Sequence, residues 1–516
     1  MKSDKLFVNG LIYADCRKRP SNFLAVSGST VIRSGRGKGK EYAGRNTEVI
    51  DLKGATVTPG IIDSHIHFLD WALSLDRINL ESCSTIADLT TILEERARSA
   101  SPGEWILGRG WNKSMFSGFP HKRMLDAIFP QHPVVLNSHD EHSLWVNSRA
   151  LEIAGIDRHT SVDGGYIGKD QDGSPDGIIG ENAIPLIRNC IPKPDASLRK
   201  NSLLRAQQKL HTLGIVGIHS VDANQAFGDL QDLASADRLR LRVFHSIPLR
   251  QLDDAVKMGL RSGLGNDWFQ FGQVKIFSDG ALGSQSGWML EPYHETGAMG
   301  IQTISEQELT EKIGLALKNG IALAVHAIGD RANRQVLNAF ENNADALKIP
   351  KARSRIEHAQ LLHPDDIPRF SKIGVIASMQ PYHAISDHDL AIRYWGERAK
   401  FSYAWRSLLE SGATLIFGSD APVEDPHTIE DLQAAVHRTN WSDPVQTIPP
   451  AEALYAYTTA PVIASGNQQN RGTLEPGKIA DFTIFAGNPL RSAFRDTKII
   501  ATAVNGEFVY RELNSL

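Results

Sequence analysis

Eight short apolar segments, each closing on a polar or ionisable side chain, constrain this chain more than any other feature. They cover residues 57–62 ahead of His65, 214–218 ahead of His219, 241–244 ahead of His245, and 271–277 around Lys275. The series continues with 321–325 ahead of His326, 354–357 ahead of His358, 374–379 ahead of Gln380, and 414–419 ahead of Asp420. Continuous Val/Ile/Leu runs of this length suit a parallel sheet covered on both faces, where no side of the strand meets water. From the second run onward the intervals carry amphipathic helical patterns, as over residues 197–212 and 306–319. Strand alternating with helix in this way predicts an α/β chain folded as a (β/α)8 barrel of TIM type.

The interval after the first run is too long for one crossover. Residues from about 70 to 195 therefore read as an insertion, with Gly/Trp-rich and Asp/Gly-rich loops at 108–118 and 170–177. Inserts on a barrel rim commonly cover the substrate side. Both ends of the chain show short alternating strands with turn signals, including those at 474–478 and 504–507. The expected organisation is a small composite β-sandwich from residues 1–57 and 470–516, beside a barrel over 58–469 that contains the insertion.

Composition narrows the function classes. At 516 residues the chain holds one large barrel and a satellite. A net charge of −4 supplies no basic stripe, so nucleic acid is not an expected partner. Three scattered cysteines, Cys16, Cys83 and Cys190, make no disulfide framework and fit a reducing compartment. The first ten residues lack a signal-peptide core, and no window is apolar enough to span a bilayer. The expectation is a cytoplasmic protein with a small-molecule substrate and no membrane contact; association into a homo-oligomer stays open.

In a barrel of this type the chemistry lies where strand C-termini open onto the loops. His65-Ile66-His67 places two imidazoles two residues apart, on one face of an extended strand, where both rings reach the same point. Alone, the pair fits a metal site or a solvated strand end equally well. His326, His358 and Asp420 fall at matching strand ends, and together the five residues supply donors for about two divalent ions. Lys275 lies in an apolar strand, where burial lowers a lysine's pKa and favours the neutral amine. It either pairs with an acid such as Asp279 or reacts with carbon dioxide to give a carbamate.

The set His65, His67, Lys275, His326, His358 and Asp420 resembles the amidohydrolase superfamily of metal-dependent hydrolases. The surrounding phrases are similar to the branch that includes YtcJ-like proteins and N-substituted formamide deformylases. They are Pro59-Gly-Ile-Ile-Asp-Ser-His-Ile-His67, Lys275-Ile-Phe-Ser-Asp-Gly280, His326-Ala-Ile-Gly-Asp330, Arg355-Ile-Glu-His358 and Phe417-Gly-Ser-Asp420. The resemblance implies that His65, His67 and Asp420 hold one metal and that His326 and His358 hold the other. Carboxylated Lys275 bridges them, and a metal-bridging hydroxide is the nucleophile; zinc is the expected ion. Asp420 is then the catalytic residue, taking a proton from the attacking hydroxide and passing it to the leaving amine. Asp63, Asp330 and Glu357 either orient ligating imidazoles or serve as ordinary ion-pair partners.

Residues expected near substrate are Trp111, His139, His142, Glu181, Arg331, Gln380 and His383, with Trp288, Tyr293 and Tyr382 as an apolar wall or plain packing. His219 and His245 read as structural. The function expected on this basis is hydrolysis of a C–N bond of amide, N-acyl or N-formyl type. The alternatives are a mononuclear deaminase or cyclic-amide hydrolase, against which Lys275 argues, and a non-catalytic binding protein on the same scaffold.

Overall fold

The computed structural model describes residues 2–112, 116, 119–138, 143–222, 224–438, 441, 444–491 and 493–512. His139 and His142 lie outside the described residues. The chain divides into two compact units, Met1–Trp71 with Leu203–Leu516, and Ala72–Ser202.

The first unit contains an eight-stranded, wholly parallel sheet in sequence order. Its strands are Ile61–Ile66, Ile215–Ser220, Arg242–Pro248, Phe269–Phe277, Ala322–Ala327, Arg355–His358, Ile376–Met379 and Leu415–Phe417. The eighth strand returns to the first at the C-terminal ends. There the Asp420 N–H donates to the His65 carbonyl at 2.7 Å and the His67 N–H to the Ala421 carbonyl at 2.8 Å. This is the barrel that the eight apolar runs predict.

Helix Glu306–Lys318 shows how the outer layer forms. The Ser305 side chain accepts from the Glu308 N–H at the N-terminus, and Lys318 sits in the last turn, both favourable for the helix dipole. Leu309, Ile313, Ala316 and Leu317 recur at helical spacing and are the face that packs on strand Ala322–Ala327.

One boundary differs from the sequence reading. The run at 57–62 is split: Thr56–Pro59 pairs antiparallel with Phe482–Ala486, and a separate strand, Ile61–Ile66, enters the barrel. Gly60 is the joint, because a Cβ there would come within 2.4 Å of Val216. Thr56–Pro59 belongs to a five-stranded sheet with Leu11–Ile12, Phe482–Ala486, Lys498–Val504 and Glu507–Arg511. A four-stranded sheet of Lys5–Val8, Phe23–Ser27, Thr30–Gly35 and Glu48–Asp51 shares a core with it through Phe7, Leu24, Val57, Phe482 and Ala501.

The second unit is built on a six-stranded mixed sheet, from Ile78–Asn79 through Pro175–Glu181. It buries its own apolar clusters, one around Trp111, Phe129 and Trp145 and another around Leu144, Leu151 and Ile187. Among the described residues no helix is long and apolar enough to cross a membrane.

Candidate active site and metal centre

The barrel's C-terminal mouth gathers His65, His67, Lys275, His326, His358 and Asp420 around one cavity of about 360 Å³. A larger cavity, about 840 Å³, opens beside Thr414 and Leu415 at the start of the eighth strand and touches none of these donors. Chemistry in a barrel of this kind belongs to the other end of the strands, so the smaller cavity is the candidate site.

Three of the imidazoles, those of His65, His358 and His326, are oriented by a hydrogen bond on one ring nitrogen. His65 donates from Nδ1 to Glu357 Oε2 at 2.6 Å, leaving Nε2 buried and 3.2 Å from Asp420 Oδ1. His358 Nδ1 meets Gln380 Oε1 at 2.8 Å and lies 4.0 Å from Asp420 Oδ2. His326 donates from Nε2 to the Gly280 carbonyl at 3.0 Å, which leaves Nδ1. His67 Nε2 lies 3.5 Å from Asp420 Oδ1. The rings of His326 and His358 are 4.6 Å apart, and those of His65 and His358 are 5.0 Å apart.

The protonation states of His326 and His358 favour ligation. Burial pushes His326 down to about 3, assisted by Lys275, and holds His358 well below the usual histidine range, so both rings are neutral. Burial also lowers Lys275 to about 8, against the pull of Glu357 and Asp420. Burial alone would raise Asp420, yet His65 and His67 hold it well below the ordinary carboxylate range. Lys275 Nζ is a buried polar atom with no hydrogen-bond partner among the described residues. Leaving such atoms unpaired is costly unless another species completes them. A divalent cation fits that donor set of imidazoles, carboxylate and amine.

Two sets of donor atoms lie within 4.8 Å of one another and share Asp420: His65 with His67, and His358 with His383. His326 is not in the second set, where the sequence reading expected it beside His358. His67, Asp70 and Asp222 form a third such set. His358 and Asp420 both adopt left-handed backbone, with φ of 70° and 64°, which turns their side chains at the strand ends.

Behind the donors runs a buried charge network that motif reading did not isolate. Arg355 Nε donates to Glu357 Oε1 at 2.5 Å, and its Nη1 donates to His219 Nδ1 at 2.7 Å. His219 is thereby a structural acceptor. Asp279 accepts backbone N–H groups from Trp288, Ile328 and Gly329 at 2.8–3.0 Å for its shortest bond to each, and so shapes the loop beside His326 rather than pairing with Lys275. Asp63 accepts from Ser419 and from the His65 N–H, clamping the first strand to the eighth. Asp330 accepts from the Leu290 N–H. His245 is buried between Phe227 and Phe269 and makes no hydrogen bond through its ring among the described residues.

The residues expected near substrate are dispersed. His383 lines the cavity and stacks on His358 with ring centroids 6.4 Å apart. Gln380 does not line it; it is buried and spends its amide oxygen on His358. Arg331 is exposed and lies over the Trp288 ring at 4.9 Å. Trp111 is packed inside the second unit, with Nε1 donating to the Leu136 carbonyl at 2.9 Å. Glu181 ends a strand of that unit, exposed, with φ of 51°. Trp288, Tyr293 and Tyr382 are not among the described residues that line the cavity. Sequence reasoning missed Asp387 and Glu424, which do line it. A usable signal existed: each lies four residues beyond a residue already singled out, His383 and Asp420.

The amidohydrolase family model matches residues 48–510. The chain is 31% identical over 497 residues to the putative amidohydrolase YtcJ of Bacillus subtilis, covering 92% of each. It is 26% identical to the N-substituted formamide deformylase of Arthrobacter pascens, covering 99% of each. Among solved structures, an uncharacterized metal-dependent hydrolase from Pyrococcus furiosus is 28% identical, with a TM-score of 0.79 over 94% of this chain and 100% of that one.

Proposed function

This chain belongs to the amidohydrolase family, and from that premise we propose that it hydrolyses the C–N bond of an amide, N-acyl or N-formyl compound, releasing a carboxylic acid and an amine. The observation that carries the reading is Lys275: a buried amine with no hydrogen-bond partner among the described residues, lowered to about 8, at a cavity it shares with four imidazoles and a carboxylate. A neutral amine adds to carbon dioxide through its lone pair and loses a proton, giving a carbamate anion. His65, His67 and Asp420 would hold one divalent ion, His326 and His358 another, and the Lys275 carbamate would join the two; zinc suits such N/O donors. When bound, such ions polarise a substrate carbonyl and lower the pKa of water towards about 7.

The protein's own groups do the rest. Glu357, Gln380 and the Gly280 carbonyl orient the rings of His65, His358 and His326. Asp420 accepts the proton released as water attacks the carbonyl carbon. It then delivers that proton to the amine nitrogen as the C–N bond breaks. His383, with an unpaired Nε2 at the cavity wall, contacts the substrate. The relative whose name specifies N-substituted formamides supports the choice of bond. Elemental analysis of the purified protein, with a panel of amides, N-formyl compounds, esters and lactones, is the test. Two metal equivalents and turnover of amides are expected. One equivalent with deamination would replace this reading by the mononuclear one, and no turnover of any substrate would favour a binding role.

A further inference from the structure

Two carboxylates outside the donor set face the active-site cavity. Asp387 caps helix His383–Ser386, and its Oδ2 accepts from Gln360 Nε2 at 2.6 Å and from the Tyr403 hydroxyl at 2.8 Å. Its Oδ1 has no hydrogen bond among the described residues. Glu424 is half-buried and makes no hydrogen bond or ion pair among the described residues, although its neighbour Asp425 is anchored by Trp71 Nε1 at 2.9 Å. A third observation comes from His383, which is more than nine-tenths buried with an unpaired Nε2. It lies one helical turn before Asp387, on the same helix face, and both line the cavity. Among the described lining residues Lys275 is the sole Lys or Arg, and it is committed to the donor set. Phe277, Leu282, Ile328 and Val423 make the remaining wall largely apolar.

Partly desolvated carboxylates left unpaired are unfavourable, and they repel an anion at close range. We propose that the substrate is cationic: an N-acyl compound with a short apolar body and an ammonium or guanidinium group, held by Glu424 and Asp387 Oδ1. This rests on the C–N hydrolase reading for the bond cleaved, but the charge preference is measurable without turnover. Hexylguanidinium and hexylurea have nearly the same shape and differ in charge, and neither is a strong metal ligand.

Titration calorimetry of the full chain as purified should show hexylguanidinium binding about tenfold or more tightly than hexylurea, a preference that shrinks with added salt. E424Q, which removes a charge that makes no hydrogen bond or ion pair among the described residues, should bring the ratio towards one. Equal binding of the two probes, no binding of either, or an undiminished ratio in E424Q overturns the inference. Formamides carrying the same two tails separate this from the reaction itself. Equal turnover of both leaves a C–N hydrolase without charge selection. A binding preference for the cation with neither formamide cleaved refutes the bond assignment and keeps the cation site.

Discussion

Glu357→Gln changes one charge at nearly constant volume in the most buried part of the site. Glu357 and Arg355 are both 0% exposed. Burial by itself would raise the Glu357 pKa, but Arg355 and then His65 outweigh it and hold the carboxyl well below the ordinary range, so it is ionised. The amide leaves the Arg355 guanidinium without its counter-charge. Breaking a buried pair from one side costs about 3–5 kcal/mol. With an unfolding entropy of about 2 cal/mol/K per residue over the unit that contains the pair, the melting temperature falls by about 4–6 °C. A second effect reaches the metal centre, because an amide oxygen holds the His65 Nδ1–H less firmly than a carboxylate does. Loss of such a partner weakens metal binding by about 10–100-fold, or about 1.4–2.7 kcal/mol. Calorimetric melting of chelated and metal-loaded protein reads the first effect, and competition with a chromogenic chelator reads the second. Melting temperature and metal affinity both matching the unsubstituted protein would refute the network; a metal effect alone would refute the stability half.

Lys275→Met should lower hydrolysis about 100-fold or more and reduce metal content. The same change should stabilise the metal-free fold by about 1–3 kcal/mol, since it removes a buried amine with no hydrogen-bond partner among the described residues; full activity would sink the bridging role. Trp111→Ala should destabilise the second unit by about 3–5 kcal/mol in urea unfolding, because the indole is a fully buried core side chain there. An unfolding midpoint unchanged by that substitution would contradict the packing role. His211 is buried and pushed down to about 4, below its unfolded value of about 6.5. Its contribution is therefore present in full above pH about 6.5 and is lost as the pH falls towards 4, about 2 kcal/mol by pH 5. His211→Asn, which can keep the donor to the Ile215 carbonyl, should show a correspondingly smaller loss of stability between pH 7 and 5.

The barrel was legible because a parallel sheet covered on both faces leaves an unbroken apolar run for every strand, and polarity returns only where the strand meets the mouth. The donors therefore stand at the ends of those runs. Glu357 was harder to read. Strand alternation puts residues 357 and 358 on opposite faces, and the left-handed backbone at His358 brings both to the site. Gln380 shows the opposite failure. It occupies the right strand end for a substrate contact, yet His358 reaches its amide first. Trp111 reads as a residue near substrate in sequence, but its unit holds the indole in its core.

Sequence alone determined the parallel barrel, the ligand set His65, His67, Lys275, His326, His358 and Asp420 as candidates, and the resemblance that names the chemistry. These are encoded in local pattern: hydrophobic periodicity, residue type and order along the chain. Tertiary structure decided which nitrogens of His65, His326 and His358 are spent on hydrogen bonds, which acids are spent on backbone amides, and which carboxylates remain for a ligand. Hydrogen bonds at these positions join residues up to 356 apart in sequence, as Asp63 and Ser419 do. Burial then sets the charge of each group, and neither partner choice nor burial is a property of a local stretch of chain.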